Sequence, residues 1–203
     1  MGIRERRERE KQGLRQNILA AALEIAAHEG WQAVTMRKVA ELIEYSAPTI
    51  YEYFDSKDAI LQGLVHEGFS KMVAQMRSAL TTADPQERLV QLGCAYTLFA
   101  WDNPELYQVM HNLAGAACHH AGPPPELREI GGIMHDSLLA AFPHYQGHTA
   151  ALEAALDIHR ATMHGLVALM LDNRLPGGRE RLAALVEQAS RGWLLNLQQS
   201  APS

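Results

Sequence analysis

The chain has 203 residues, 47% apolar and 20% charged, enough for one large domain or two small ones with a true core. The N-terminus, MGIRERRERE, lacks the apolar stretch of a secretory signal, and the run from Leu166 to Leu171 is far too short to cross a bilayer, so the expected setting is cytoplasmic with no membrane partner. The net charge of −5 excludes a broad basic field: residues 1–57 balance 9 Lys/Arg against 9 Asp/Glu, and residues 58–203 hold 9 against 14.

In chain order, helix is predicted almost throughout. Ala and Leu outweigh Val, Ile and Thr, and no segment sustains the period-two alternation of a strand, so the fold class is all-α with about nine helices. The first helix carries Leu14, Ile18, Ala22, Ile25 and Ala26 at the spacing of one buried stripe and stops at Gly30. Thr35 is the expected N-cap of the second, with Val39, Ala40 and Ile43 on its inner face, and Glu44 and Tyr45 make a turn. Ser46 caps the third, and Pro48 fits its first turn, where the missing N–H is not needed. Asp55 with Asp58 resembles a capping box for a fourth helix running to about Leu80. Asp84-Pro85-Gln86-Glu87 and Asn103-Pro104-Glu105 mark two further starts. Gly122 to Pro125 reads as a loop, followed by a helix to about Phe142 and a break from Pro143 to Gly147. Ala150 to Leu171 forms a long helix, Pro176-Gly177-Gly178 a turn, and the last helix carries Leu182, Leu185, Val186, Ala189, Trp193 and Leu197 before a frayed tail.

Residues Thr35 to Phe54, TMRKVAELIEYSAPTIYEYF, are the most informative stretch. Two short amphipathic helices are joined by a tight turn, and the second places small and polar side chains at its start with apolar ones behind. A helix that brings its first turns up to base edges in the DNA major groove needs that arrangement. The flanks sharpen it: a helix ending in Gly30, then T-x-R-x-V-A, S-x-x-T-I-Y-x-Y-F and S-K-D-A-I-L. On these motifs, residues 12–72 resemble the TetR family of one-component bacterial transcription regulators. The resemblance implies an N-terminal three-helix domain over 12–72, with its helix-turn-helix motif at 35–54, and a C-terminal helical ligand-binding and dimerisation domain over 73–199. It implies a sequence-specific DNA-binding regulator, a repressor released from a palindromic operator by a small, largely apolar effector. The other reading is a helical ligand-binding or interaction protein without operator binding.

The resemblance further implies that Ser46, Ala47, Pro48, Thr49 and Tyr51 face the major groove. Thr49 can bond a base edge or offer its methyl to thymine, and Ala47 and Pro48 suit a thymine methyl. Ile50 and Phe54 point back into the small core. Tyr53, Lys57, Thr35, Arg37 and Lys38 are placed for phosphates. No arginine stands on this helix for a guanine contact. In the leading RERRERE segment, Arg4 with Glu8 and Glu5 with Arg9 are spaced for i,i+4 pairs on an exposed helix; the alternative is a flexible arm on phosphate or minor groove.

A dyad-symmetric operator calls for a two-fold dimer with recognition helices about 34 Å apart. The last two helices are the expected homodimer interface, through Leu156, Met163, Leu166, Met170, Leu182, Leu185, Val186, Ala189 and Trp193, packed as an isologous four-helix bundle. The middle helices are expected to enclose the effector between Met72, Met76, Tyr96, Phe99, Trp101, Tyr107, Met110, Met134 and Leu138, with His111 and His135 as polar anchors. Ten histidines raise a metal reading, but Cys118-His119-His120, His144 with His148 and His159 with His164 match no recognised zinc spacing. With no nucleophile elbow, Walker or Rossmann glycine pattern either, no metal, cofactor or catalytic residue is expected. Cys94 and Cys118 read as buried thiols.

Overall fold

The computed structural model of the chain describes residues 2–116 and 124–199; Cys118, His119, His120, the first half of the expected loop at Gly122 to Pro125, and the last four residues, 200–203, lie outside the described residues. Nine α-helices stand among the described residues: α1 Ile3–Glu29, α2 Met36–Leu42, α3 Ala47–Tyr51, α4 Lys57–Ala79, α5 Pro85–Asp102, α6 Pro104–Met110, α7 Pro125–Ala141, α8 Thr149–Leu171 and α9 Gly178–Gln199. Short 3₁₀ turns follow α1 at Trp31–Ala33 and α7 at Pro143–Tyr145. No described helix is long and apolar enough to cross a membrane.

The helix starts follow local chemistry. Thr35 Oγ1 accepts the Lys38 N–H at 3.2 Å, Ser46 Oγ accepts that of Thr49 at 3.4 Å, and Asp84 Oδ1 accepts that of Gln86 at 2.9 Å. Each satisfies a backbone donor that the helix itself leaves open. Two expected caps are corrected. The start of α4 is capped by Ser56, whose Oγ accepts the Ala59 N–H at 3.1 Å, and not by Asp55. A serine directly before the first helical residue reaches the third N–H on; Asp55 stands one position too early. Asn103 Nδ2 donates to the Phe99 carbonyl at 3.0 Å, so that side chain closes the end of α5.

Three helices end on one device. After α2, α6 and α8 the chain passes through a left-handed residue (Glu44 φ 58°, Asn112 φ 53°, Asn173 φ 55°). The next residue's N–H then bonds back into the last turn: Tyr45 to Ala40 O at 2.9 Å, Leu113 to Gln108 O at 2.8 Å, and Arg174 to Leu169 O at 2.8 Å. The stop of α8 is thus at Asn173, ahead of the Pro176-Gly177-Gly178 turn.

The chain divides into two compact units: Met1–Gly68 with Glu105–Gly122, and Phe69–Pro104 with Pro123–Ser203. The expected boundary at 72/73 put α6 in the second; the packing puts it in the first. Trp31 Nε1 donates to Gln108 Oε1 at 3.0 Å, and Gln32 Nε2 to the Gly115 carbonyl at 3.4 Å. Gly68 lets α4 approach α6 closely, since a Cβ there would collide with the Met110 sulfur and lie 3.0 Å from Leu106. Ile18, Leu19, Ala22, Trp31, Val39, Ile50, Phe54, Ile60 and Leu64 form this unit's core, all at most 4% exposed.

The second unit packs α5 against α7, α8 and α9. One apolar cluster joins Leu89, Leu138, Phe142, Leu152, Leu194 and Leu197. Where α5, α8 and α9 meet, the core turns polar: buried His159 Nε2 lies 3.2 Å from Ser190 Oγ, and the His159 ring packs on Trp193 at 4.4 Å. Gly93 makes room for both, as a Cβ there would stand 3.0 Å from Ser190 Oγ.

Candidate functional site

The α2–turn–α3 unit is built by its two ends. Glu44 in the left-handed region reverses the chain, and Ser46 opens α3 with extended backbone (φ −80°, ψ 147°). Ser46 Oγ also lies 2.9 Å from Thr49 Oγ1, which ties the Thr49 hydroxyl to the cap. Ile50 is sealed and Phe54 is 4% exposed, with the Arg15 guanidinium 4.7 Å above the Phe54 ring. The opposite side of the same helix stands open: Ser46 and Pro48 are exposed, Ala47 and Thr49 half-buried, and Tyr51 is 52% exposed. The α3 residues expected to meet DNA are thus exposed or half-buried, while the two expected behind them are buried.

The cations expected at phosphates are each engaged within the chain. Arg37 Nε pairs with Glu41 Oε1 at 2.7 Å, which holds its guanidinium above the usual range. Lys38 Nζ pairs with Glu29 Oε2 at 2.5 Å. Both pairs lie on the surface, where solvent screens them, so a phosphate can displace the carboxylate at little cost. Lys57 differs. Its ammonium donates to the Trp31 carbonyl at 2.6 Å, and partial burial lowers its pKa. One of its three N–H donors thus ties α4 to the turn after α1.

Tyr53 lines a groove of about 530 Å³ with Arg7, Glu10, Lys11, Leu14, Tyr45 and Glu52. Arg7, Lys11 and Tyr45 were not among the residues expected at the interface. Their signal is present in the sequence: Arg4, Arg7 and Lys11 continue the Leu14–Ile18 stripe at helical spacing.

The residues expected around an effector are divided between the two units. Tyr107, Met110 and His111 belong to the first unit, the His111 ring 4.3 Å from that of Tyr107. In the second unit Met72, Met76, Phe99 and Leu138 are at most 1% exposed and act as packed core. Tyr96, Trp101 and Met134 are half-buried at the edges of apolar clusters, and His135 is exposed beside Asp136. A groove of about 640 Å³ in this unit is lined instead by Ser70, Val73, Ala74, Arg77, Ser78, Glu126 and Glu129, with Arg77 paired to Glu129 at 2.5 Å. It mixes charged, hydroxyl and small apolar side chains and holds none of the eleven.

The expected dimer residues also divide. Met163, Leu182 and Val186 close a cluster inside the unit at 2% exposure or less. Leu156, Leu166, Met170, Leu185, Ala189 and Trp193 are half-buried, Trp193 donating to the Ala155 carbonyl at 3.1 Å. The most open apolar side chains of α8 and α9 are Ile158 at 61% and Leu195 at 57%, neither of which was expected there. Among the described residues no group of three His, Cys, Asp or Glu is placed to hold a metal ion. Burial raises the Cys94 thiol pKa.

Comparison with known proteins agrees with this architecture. Residues 18–64 match the family described as "Bacterial regulatory proteins, tetR family", and residues 89–191 match "Tetracyclin repressor-like, C-terminal domain". The HTH-type transcriptional repressor KstR of Mycolicibacterium smegmatis is 38% identical over 69% of this chain and 65% of its own length. The uncharacterised HTH-type transcriptional regulator YobS of Bacillus subtilis is 30% identical over 47% of this chain and 51% of its own. The chain thus aligns with between about half and two thirds of these relatives' length. A TetR-family transcriptional regulator from Bordetella parapertussis shares the fold, with a TM-score of 0.68 at 19% identity over 90% of this chain and 96% of that one. With both its N-terminal and its C-terminal regions matched, the chain belongs to the TetR family of bacterial regulatory proteins.

Proposed function

We propose that the chain is a dimeric, sequence-specific DNA-binding regulator, acting in the cytoplasm as a repressor of a dyad-symmetric operator. The observation that carries this reading is the two-sided α3: a capped, open face of Ser46, Ala47, Pro48, Thr49 and Tyr51 on a helix anchored by sealed Ile50 and Phe54. That face offers hydroxyls, a methyl and a phenol to the major groove, and Arg37, Lys38 and Tyr53 flank it for phosphates. Two such heads are joined through the outward faces of α8 and α9, where Ile158 and Leu195 stand open.

The effector is a small, largely apolar molecule that enters the second unit at half-buried Tyr96, Trp101 and Met134 and displaces core side chains to make its own space. Met72 and Met76 favour this, as unbranched thioether side chains repack readily. Its binding favours one state of the dimer over the other by the difference in affinity between them. Selection of bound fragments from a random DNA pool by the full-length protein tests the reading. Enrichment of a two-fold motif with half-sites about one helical turn apart is expected. Failure to enrich any motif at low salt would reject it.

A further inference from the structure

The RERRERE segment is neither a flexible arm nor a row of mutually cancelling charges. It is the start of α1, continuous from Ile3, and Glu5 Oε2 accepts the Gly2 N–H at 3.0 Å as a cap. The acids Glu8 and Glu10 are engaged by other partners. Glu10 pairs with Arg6 at 2.8 Å, and Glu8 accepts from Gln12 at 3.5 Å, so the Arg4–Glu8 pair expected from spacing is not formed. Arg9 Nε donates to the Glu5 carbonyl at 3.4 Å.

Arg4, Arg7 and Lys11 remain. All three are exposed, and among the described residues their side chains make no ion pair or hydrogen bond. At 3.6 residues per turn they fall within an arc of about 60°, in line with Leu14 and Ile18. The stripe that is apolar and buried where α1 crosses the core therefore becomes cationic where α1 runs past it. Arg7 and Lys11 share one groove with Tyr45, which precedes the α3 cap, and with Tyr53, which follows α3. Glu10 and Glu52 line that groove as well, Glu10 being held by Arg6.

We propose that the first three turns of α1 form a second DNA contact, in which Arg4, Arg7 and Lys11 engage backbone phosphates next to the bases met by α3. The inference rests on the DNA-binding reading above. A row of three unpaired cations spanning about 10 Å suits a duplex that carries one charge per about 1.7 Å of axis. The stripe presents only charged groups between residues 4 and 11, so it adds affinity without adding sequence preference.

The test uses full-length protein and the DNA motif it selects, extended by flanking sequence on both sides. In Arg4→Gln/Arg7→Gln/Lys11→Gln, the slope of log affinity against log salt is expected to become shallower by about 0.9 for each phosphate that a protomer no longer neutralises. Binding at 0.1 M salt is expected to be at least about tenfold weaker, with an unchanged motif. Arg6→Gln/Arg9→Gln, which removes charge from other sides of the same helix, is expected to leave the slope within error of wild type. Circular dichroism establishes that both proteins keep their helix. A triple variant with wild-type slope and affinity overturns the proposal, as does an equal weakening in the outer-face control. Absence of any motif for the wild-type protein would instead strike at the DNA-binding reading itself.

Discussion

Tyr51 and Ile50 are neighbours with opposite fates: one stands 52% exposed, the other is sealed. That contrast follows from helical geometry once Ser46 sets the start of α3, because the cap decides which residues of a five-residue helix point outward. Here the sequence was legible, since Ser, Pro and the apolar pair Ile50 and Phe54 each have one physically sensible position. Lys57 was less legible. A lysine near a phosphate-binding edge looks like a DNA contact, but its bond to the Trp31 carbonyl depends on a turn 26 residues away. His159 was not legible at all, because only the crossing of three helices at Gly93 makes it a buried group. Its burial lowers its pKa from 6.5 to about 4. The unfolded chain therefore binds a proton that the folded chain refuses between those values, and stability falls as pH drops from 6.5 towards 4, then levels off. The loss is on the order of 3 kcal/mol. Urea unfolding of wild type and His159→Gln across that window should show the gap between them moving in the variant's favour on acidification. A gap independent of pH would remove His159 from the acid response.

At the scale of elements, the caps supply the clearest differences. Ser56 and Asp55 are adjacent and both are good cap residues, so the sequence alone does not rank them; the hydrogen bond to Ala59 N does. Ser56→Ala is expected to lose about 1 kcal/mol of stability, and Asp55→Ala to stay within about 0.5 kcal/mol of wild type, both read from denaturant midpoints. The reverse order would mean that α4 starts elsewhere. Helix α7 carries Gly131 and Gly132 in its middle, both exposed, with nothing within 4 Å of a Cβ built on either. Each lowers helix stability by up to about 1 kcal/mol relative to alanine. Gly131→Ala and Gly132→Ala should each raise the thermal midpoint, and a lowered midpoint in either would show that the site is not open. The dimer and effector residues are less legible at this scale. Helical periodicity identifies which side chains share a face, but not whether that face meets α9 of the same chain or a second copy. Met163, Leu182 and Val186 are buried in one cluster within the unit.

For the whole molecule, the acidic total hides a local arrangement. Residues 1–57 are neutral in sum, yet α1 separates paired charges from the unpaired row Arg4, Arg7 and Lys11. Counting charge could not reveal this, because the separation lies around the helix and not along it. The placement of α6 in the first unit was equally hidden, since it depends on Trp31 and Gln108 meeting across 77 residues. On the proposed reading, the molecule recognises DNA through the open face of α3. The most direct test is the equilibrium affinity of Thr49→Ala and Tyr51→Ala for the motif that wild-type protein selects, measured at fixed salt. Each substitution is expected to weaken binding to that motif by about 1–3 kcal/mol while leaving affinity for unrelated duplex unchanged. Wild-type affinity for the motif in both variants would contradict that reading.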